Sequence, residues 1–287
     1  MVKDKFFCLI LKRGNALTVQ AHDLYTDLMK RVLANTIYED RPTFPVGMNI
    51  LDKDQADSMR PGTEDPAKER GTFDVDHRAG GLDVPSVAHT MIGMRRLDNI
   101  QECVEQVLRD GVPGDFIETG VWRGGACILM RSLLKAHGVE DRNVWLADSF
   151  AGVPVTSEDS HPLDQGMEFH NLNWVLSCSE EQVRENFARY DLLDDQVKFL
   201  PGMFADTLPT APIDRLAILR MDGDLYESTM DALVNLYPKL SVGGYAIVDD
   251  YVIPACKQAV HDYRREHGID EPIETVDVTG VYWRRTH

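Results

Sequence analysis

The sequence predicts an α/β protein built on a doubly wound, mostly parallel sheet, and three features predict it. From Asp115 onward, short apolar runs alternate with segments of helical period. The runs are almost continuously hydrophobic, as strands covered on both faces are. Acids recur at their ends, in VWLAD (144–148), LRMD (219–222) and IVDD (247–250). An unpaired buried carboxylate is costly, so these ends should face something positive or rich in hydroxyls. Ligands of such sheets bind outside the carboxyl ends of the strands, where these acids fall.

Residues 1–20 carry an apolar run, Phe6 to Leu11. It is shorter than the roughly 7–15 residues of a secretory core and lacks a small-residue cleavage site. From His22 to Asp40, Leu24, Leu28 and Val32 with Met29, Leu33 and Ile37 recur at helical spacing. That predicts an amphipathic helix packed on the core or on a second copy, the default being a homodimer. Prolines, glycines and charges interrupt residues 41–85, which argues against regular structure and for a mobile lid. Helical period returns through Met94, Leu97, Ile100, Val104 and Leu108. The chain therefore divides into an N-terminal helical extension, 1–110, with its loop 41–85, and an α/β domain, 111–287.

The predicted strands are DFIET (115–119), NVWLAD (143–148), VKFLP (197–201), LAILRMD (216–222) and YAIVDD (245–250). IETVDV (273–278) and VYWRR (281–285), joined at Thr279-Gly280, form an antiparallel hairpin that closes one edge. The helical segments between them are ACILMRSLLKAHG, SEEQVRENFARYD, STMDALVNLYPKL and PACKQAVHDYRREHG.

A formal charge of −17 repels nucleic acid and anionic membrane surfaces, so neither is an expected partner. Five scattered cysteines without CxxC spacing argue against a disulfide framework and a cysteine zinc site, and fit a reducing cytoplasm. His89, His161, His170 and His261 have no i, i+4 partners and read as surface or core residues rather than metal ligands.

Strand one runs into ETGVWRGGACILM, where Glu118 and Gly120 precede Gly124-Gly125 at a helix start. Backbone can approach a ligand closely at such a turn. The pattern is neither GxGxxG nor a phosphate loop. Asp148 ends the second strand, where an acid can accept hydrogen bonds from ribose hydroxyls. With no phosphate cradle, and with Glu118 set to repel phosphate, a cationic or zwitterionic nucleoside is preferred, and S-adenosylmethionine qualifies. Asp222 and Asp224 end the fourth strand, and Asp249 and Asp250 the fifth. On neighbouring strands these acids would converge, and a hard divalent cation, most simply Mg²⁺, would neutralise them.

The runs VPSVAHTMIGMRRLDNIQ, DGVPGDFIETGVWRGGACILMRSLL, WLADSFAGVP, ENFARYDLLDDQVKFLPGMFADTLPTAPIDRLAILRMDGDLYESTMDAL, YPKLSVGGYAIVDDYVIPACKQAV and GVYWRR closely resemble the macrocin O-methyltransferase family, which includes mycinamicin- and novobiocin-type sugar O-methyltransferases. The resemblance runs from about residue 22 to the end, apart from the loop. It implies a class I methyltransferase fold, S-adenosyl-L-methionine as donor, Mg²⁺ dependence, and methylation of a deoxysugar hydroxyl on a glycosylated natural product. Carried over by position, Glu118, Thr119, Gly120 and Trp122 would line the donor's methionine part, and Thr90, Met91 and Ile92 its carboxylate side. Asp148 and Ser149 would bind ribose, Gly202 and Phe204 would lie near adenine, and Asp222, Asp249 and Asp250 would hold Mg²⁺.

The chain reads Pro201-Gly202-Met203-Phe204 where its relatives offer GWF. The metal acids also resemble those of catechol-type O-methyltransferases, which place a lysine base three residues after the first metal acid. Leu225 stands there, so the base is expected to be Asp224. The alternatives are a methyltransferase for phenolic or catechol aglycones, and a non-catalytic cofactor-binding scaffold. Acceptor specificity is expected in the 41–85 loop and in residues 151–180.

Overall fold

The computed structural model of the protein describes residues 21–44, 54, 57–60 and 71–287. The apolar run Phe6 to Leu11, and with it the expectation of no secretory leader, lies outside them. Seven strands form one sheet: β1 (Asp115–Thr119), β2 (Val144–Asp148), β3 (Val197–Pro201), β4 (Leu216–Met221), β5 (Leu240–Val248), β6 (Glu274–Thr275) and β7 (Val281–Arg284), in the order β3-β2-β1-β4-β5-β7-β6. β3, β2, β1, β4 and β5 pair in parallel. β7 lies antiparallel to β5 and carries β6 on its far side, the predicted edge hairpin.

Seven helices of six residues or more occur among the described residues: α1 (Ala21–Leu33), α2 (Val75–Gly80), α3 (Gly93–Arg109), α4 (Gly125–Ala136), α5 (Glu180–Arg189), α6 (Tyr226–Leu236) and α7 (Pro254–Glu266). Successive strand side chains point to opposite faces, so Phe116, Leu146 and Ile218 join a core with Leu97, Leu129 and Phe187. Ile117, Trp145 and Leu219 join another with Leu233, Val260 and Trp283. All six residues of β4 are buried, which explains the apolar run Leu216 to Leu219. Each fully buried large aliphatic or aromatic side chain contributes roughly 1.5–3 kcal/mol relative to exposure.

Three elements differ from the prediction. The first helix stops at Leu33 rather than Asp40, because Asn35 turns left-handed (φ 50°) and Thr36 N–H returns to the Arg31 carbonyl at 3.0 Å. Of its predicted apolar row, Met29 and Leu33 are buried while Leu24, Leu28 and Ile37 are exposed. β5 begins at Leu240, five residues before the apolar run that predicted it at Tyr245. Gly243-Gly244 resembles a turn in sequence, yet there the strand bends and its pairing with β4 shifts between Leu216 and Ile218.

The third difference lies in the segment expected to be irregular. α2 forms there because Asp74 caps its start, accepting from His77 N–H at 2.8 Å, and Gly81 closes its end at φ 64°. Its Arg78 is buried, with its guanidinium on Asp83 and Asp40 and on the Ala34 carbonyl. Thr43 N–H bonds the Val84 carbonyl at 2.6 Å, so the two ends of the predicted lid are tied to each other. Most of its middle, 45–53, 55–56 and 61–70, lies outside the described residues.

Candidate active site

A cavity of about 520 Å³ lies at the carboxyl ends of β1, β2, β4 and β5. That volume is in the usual range for a small-molecule site. Thr90, Met91, Ile92, Glu118, Gly120, Trp122, Asp148, Ser149, Gly202, Phe204, Asp222, Asp224, Asp249 and Asp250 all line it. Thr119 does not. It is the last residue of β1 and fully buried, and its hydroxyl has no hydrogen bond.

The β1 turn needs its glycines for closeness as well as for conformation. Gly120 sits at φ 87°, and a Cβ there would lie 1.7 Å from the Asp222 carbonyl oxygen, which would force β1 away from β4. A Cβ on Gly125 would meet the His89 carbonyl at 2.4 Å, so only glycine lets the segment carrying Thr90 lie over the start of α4. This presents the helix N-terminus, with Gly125 and Ala126, to the cavity. Its free N–H groups and positive end favour an anionic group. Trp122 adopts φ 45°, donates its indole N–H to the Val175 carbonyl at 2.9 Å and lies under the Arg123 guanidinium.

Asp148 accepts Val121 N–H on one oxygen and Phe150 N–H on the other, both at 2.7 Å. These bonds fix the plane of the carboxylate, and each oxygen keeps a second lone pair for a ligand hydroxyl. Burial raises the Asp148 pKa against the pull of those N–H groups.

At the ends of β4 and β5 the acids converge as expected, with oxygens of Asp222, Asp249 and Asp250 within 4.8 Å of one another. Reasoning from sequence missed what already neutralises part of this charge. Arg220, a buried β4 residue, bonds Glu118, Asp222 (2.8 Å) and one oxygen of Asp249. Arg96 of α3 takes the other oxygen of Asp249 and also reaches Asp277. A charged residue hidden in LAILRM gives no local sign of its partners, which are up to 102 residues away.

Two guanidinium groups do not balance Glu118, Asp222, Asp224, Asp249, Asp250 and Asp277. Burial, with the charges of Asp222 and Asp249, pushes Asp224 up to about 7. Glu118 is also raised to about 7, by burial opposed by Arg220. Asp250 is driven well above the carboxylate range by burial and then by Asp224 and its neighbours. These groups open onto the cavity, so a bound cation would draw all of them down. The donor set, hard carboxylate oxygens short of positive charge, fits a divalent cation such as Mg²⁺. Asp249 could join its coordination only while sharing or releasing an arginine.

Asp224 occupies left-handed backbone, φ 59°, and donates its N–H to Asp250 Oδ2 at 3.0 Å. A non-glycine residue held there is strained, and its surroundings must enforce the conformation. Leu225 is buried and occupies the N-terminal cap position of α6. Of the histidines set aside in the sequence, His89 lines the cavity. It is bonded to the Tyr190 hydroxyl at 2.6 Å, and burial together with Arg189 and Arg123 lowers it to about 4. It is therefore neutral at pH 7.

A parallel sheet of this order, with a glycine turn after β1, an acid after β2 and a cavity across both, defines a class I S-adenosylmethionine-dependent methyltransferase fold. The macrocin-O-methyltransferase (TylF) family profile matches residues 22–285, and the chain belongs to that family. It is 56% identical over 270 residues, 94% of this chain and 95% of the relative, to the 8-demethyl-8-(2,3-dimethoxy-alpha-L-rhamnosyl)-tetracenomycin-C 4'-O-methyltransferase of Streptomyces olivaceus. It is 54% identical over 266 residues, 92% of this chain and 97% of the relative, to the mycinamicin III 3''-O-methyltransferase of Micromonospora griseorubida. The solved O-methyltransferase NovP superposes with a TM-score of 0.82 at 54% identity, covering 93% of this chain and 100% of that one. The chain is an O-methyltransferase.

Proposed function

We propose that the protein moves a methyl group from S-adenosyl-L-methionine to a deoxysugar hydroxyl of a glycosylated natural product, with Mg²⁺ at Asp222, Asp249 and Asp250 and with Asp224 as base. The observation that carries this reading is the acid cluster, short of positive charge, on the floor of the cavity lined by the Gly120 turn and Asp148. The relatives support the acceptor class, since they are named for methylating a rhamnosyl tetracenomycin and mycinamicin III.

When bound, the donor supplies an electrophilic methyl group and the cation makes a sugar hydroxyl more acidic. The chain's residues bind, orient and take the proton. Gly120 and the α4 N-terminus receive the donor's methionine part beside Thr90, Asp148 orients the ribose, and Phe204 with Gly202 flanks the base. Asp222, Asp249 and Asp250 hold the cation. Asp224, two residues beyond Asp222, would accept the hydroxyl proton as the methyl group passes from sulfur to that oxygen, with S-adenosylhomocysteine as the leaving product. The principal contribution is to hold these groups collinear.

Leu225, apolar and buried, offers no base, which supports Asp224 in that role and the glycoside reading over the catechol one. The homodimer expectation rests on the exposed Leu24 and Leu28 of α1. Among the described residues no helix is long and apolar enough to cross a membrane, and a cytoplasmic location is proposed with the function.

Mass spectrometry of glycosylated natural products and of catechols, incubated identically with enzyme and donor, tests the reading. Gain of one methyl on glycosides alone supports it. Methylation of catechols alone favours the phenolic reading, and no transfer to either counts against both acceptor classes.

A further inference from the structure

The cavity is also lined by Val153, Pro154, Val155, Thr156 and Ser160, and by Glu227, Ser228 and Asp231 of α6. The first group belongs to a segment with little regular structure, and irregular chain does not hold a wall in place by itself. What fastens it is Asp164, a fully buried carboxylate. One oxygen accepts Tyr226 N–H at 2.7 Å and the other accepts Glu227 N–H at 3.0 Å. These are the first two N–H groups of α6, which have no partners within the helix. Leu225, at the cap position, offers no side-chain acceptor. A carboxylate from another part of the chain thus caps the helix with two charge-assisted bonds at its positive end.

The attachment is reciprocal. Glu227 accepts His161 N–H at 2.8 Å, and the His161 ring stacks on Tyr226 with centroids 3.6 Å apart and planes 5° from parallel. Within the segment, Asp164 N–H bonds the His161 carbonyl at 2.8 Å. The Gln165 amide donates to the Glu158 and Ser160 carbonyls, and the Thr156 hydroxyl to the Met167 carbonyl at 3.1 Å. Displacing Asp164 would therefore displace Thr156 and Ser160. α6 starts directly after Leu225, so the same two bonds also fix where the strained Asp224 turn leaves β4.

We infer that Asp164 is a positioning residue that locks the acceptor wall to the reaction turn: it touches neither donor nor acceptor, and sets the distance between the wall and Asp224. This rests on the proposed function, and it takes the wall as acceptor-binding because the wall lies in the 151–180 segment expected to carry acceptor specificity. Asp164→Ala leaves the two helix N–H groups without partners and frees the wall. A misplacement of about 1 Å can cost up to about 10²-fold in turnover. Asp164→Asn keeps the shape and one acceptor oxygen, so its effect falls between wild type and Asp164→Ala.

The test combines steady-state kinetics, calorimetry with S-adenosylhomocysteine, and amide hydrogen exchange on the full chain. In Asp164→Ala, acceptor kcat/KM is expected to fall about 10–100-fold with acceptor KM raised. S-adenosylhomocysteine affinity should stay within about threefold, and exchange should quicken in both 153–167 and 222–230. A merely structural role would lower the melting temperature yet leave acceptor KM unchanged in the folded fraction, and that result overturns the inference. So does faster exchange confined to one of the two segments. If Asp164→Ala does not fold, Asp164→Asn carries the same test, and an acceptor KM equal to wild type overturns it. Exchange is read without turnover, so coupled loosening in an enzyme that methylates no glycoside would refute the proposed acceptor class and leave the locking contact standing.

Discussion

The donor side and the acid side of the cavity are built by different means. At the ends of β1 and β2, backbone does most of the work: Gly120 lies against the Asp222 carbonyl, Asp148 is held by two main-chain N–H groups, and Gly125 admits the Thr90 segment. At the ends of β4 and β5 the site is held by charge, with Arg220 and Arg96 shared among Glu118, Asp222 and Asp249 and with Asp224 in strained backbone. The first arrangement is made by close backbone contacts and is ready for ligand. The second is made by charged side chains and lacks positive charge, which leaves room for a cation and a proton.

Removing the central charge should break this contrast most severely. In Arg220→Met the buried Glu118 and Asp249 and the half-buried Asp222 lose a common partner, and a buried pair broken on one side costs about 3–5 kcal/mol. Urea unfolding should show a loss of that order, whereas a loss under about 1 kcal/mol would mean that Arg96 and water suffice. Asp224→Asn addresses chemistry alone. Its kcat should fall about 10²–10⁴-fold, the range for a lost general base, with donor affinity by calorimetry near wild type. Near-normal kcat in the folded variant would remove Asp224 from the mechanism.

Gly120→Ala is the matching change on the donor side. The added Cβ collides with the Asp222 carbonyl and the φ of 87° strains alanine, so the variant should lose about 1–3 kcal/mol of stability. Its donor affinity should weaken, while the acid cluster of β5 remains intact. Wild-type donor affinity in Gly120→Ala would show that the turn does not receive the donor.

The smallest effect concerns pH. Asp40 accepts from Val87 N–H at 2.7 Å and pairs with Arg78, holding the chain that leads into Thr90. Burial opposes its ionisation, but Arg78 and the Val87 and Asn35 donors outweigh burial and lower its pKa. With the folded value below the unfolded one, its stabilisation is complete at neutral pH and is lost as pH falls through and below the usual carboxylate range. Asp40→Asn should therefore flatten the decline in melting temperature on acidification below about pH 4, and an unchanged decline would contradict this.

These two sides also divide what the sequence discloses. The five parallel strands, the edge hairpin and the Gly120–Asp148 pair are legible because turn chemistry and strand ends are written in adjacent residues. Asp222, Asp249 and Asp250 are legible as strand-end acids, but Arg220 and Arg96 are not, since strand and helix period place them without revealing what they touch. Asp164 gives no sign at all in SEDSHPLDQGMEF, because the helix it caps lies 62 residues on. α1 misleads in the opposite way: its apolar row spans more of the helix than the core covers, and Leu24 and Leu28 stay outside.

If the proposed function holds, the acid side needs a divalent cation for transfer while the donor side does not need one for binding. Methyl transfer to a glycoside acceptor, measured in chelator-stripped enzyme before and after Mg²⁺ is added, tests it directly alongside S-adenosylhomocysteine calorimetry on the same samples. Transfer is expected to disappear on stripping and return with Mg²⁺, with donor-product affinity changed by less than about threefold throughout. Full transfer in the stripped enzyme would contradict it, and would leave Asp222, Asp249 and Asp250 to the arginines alone.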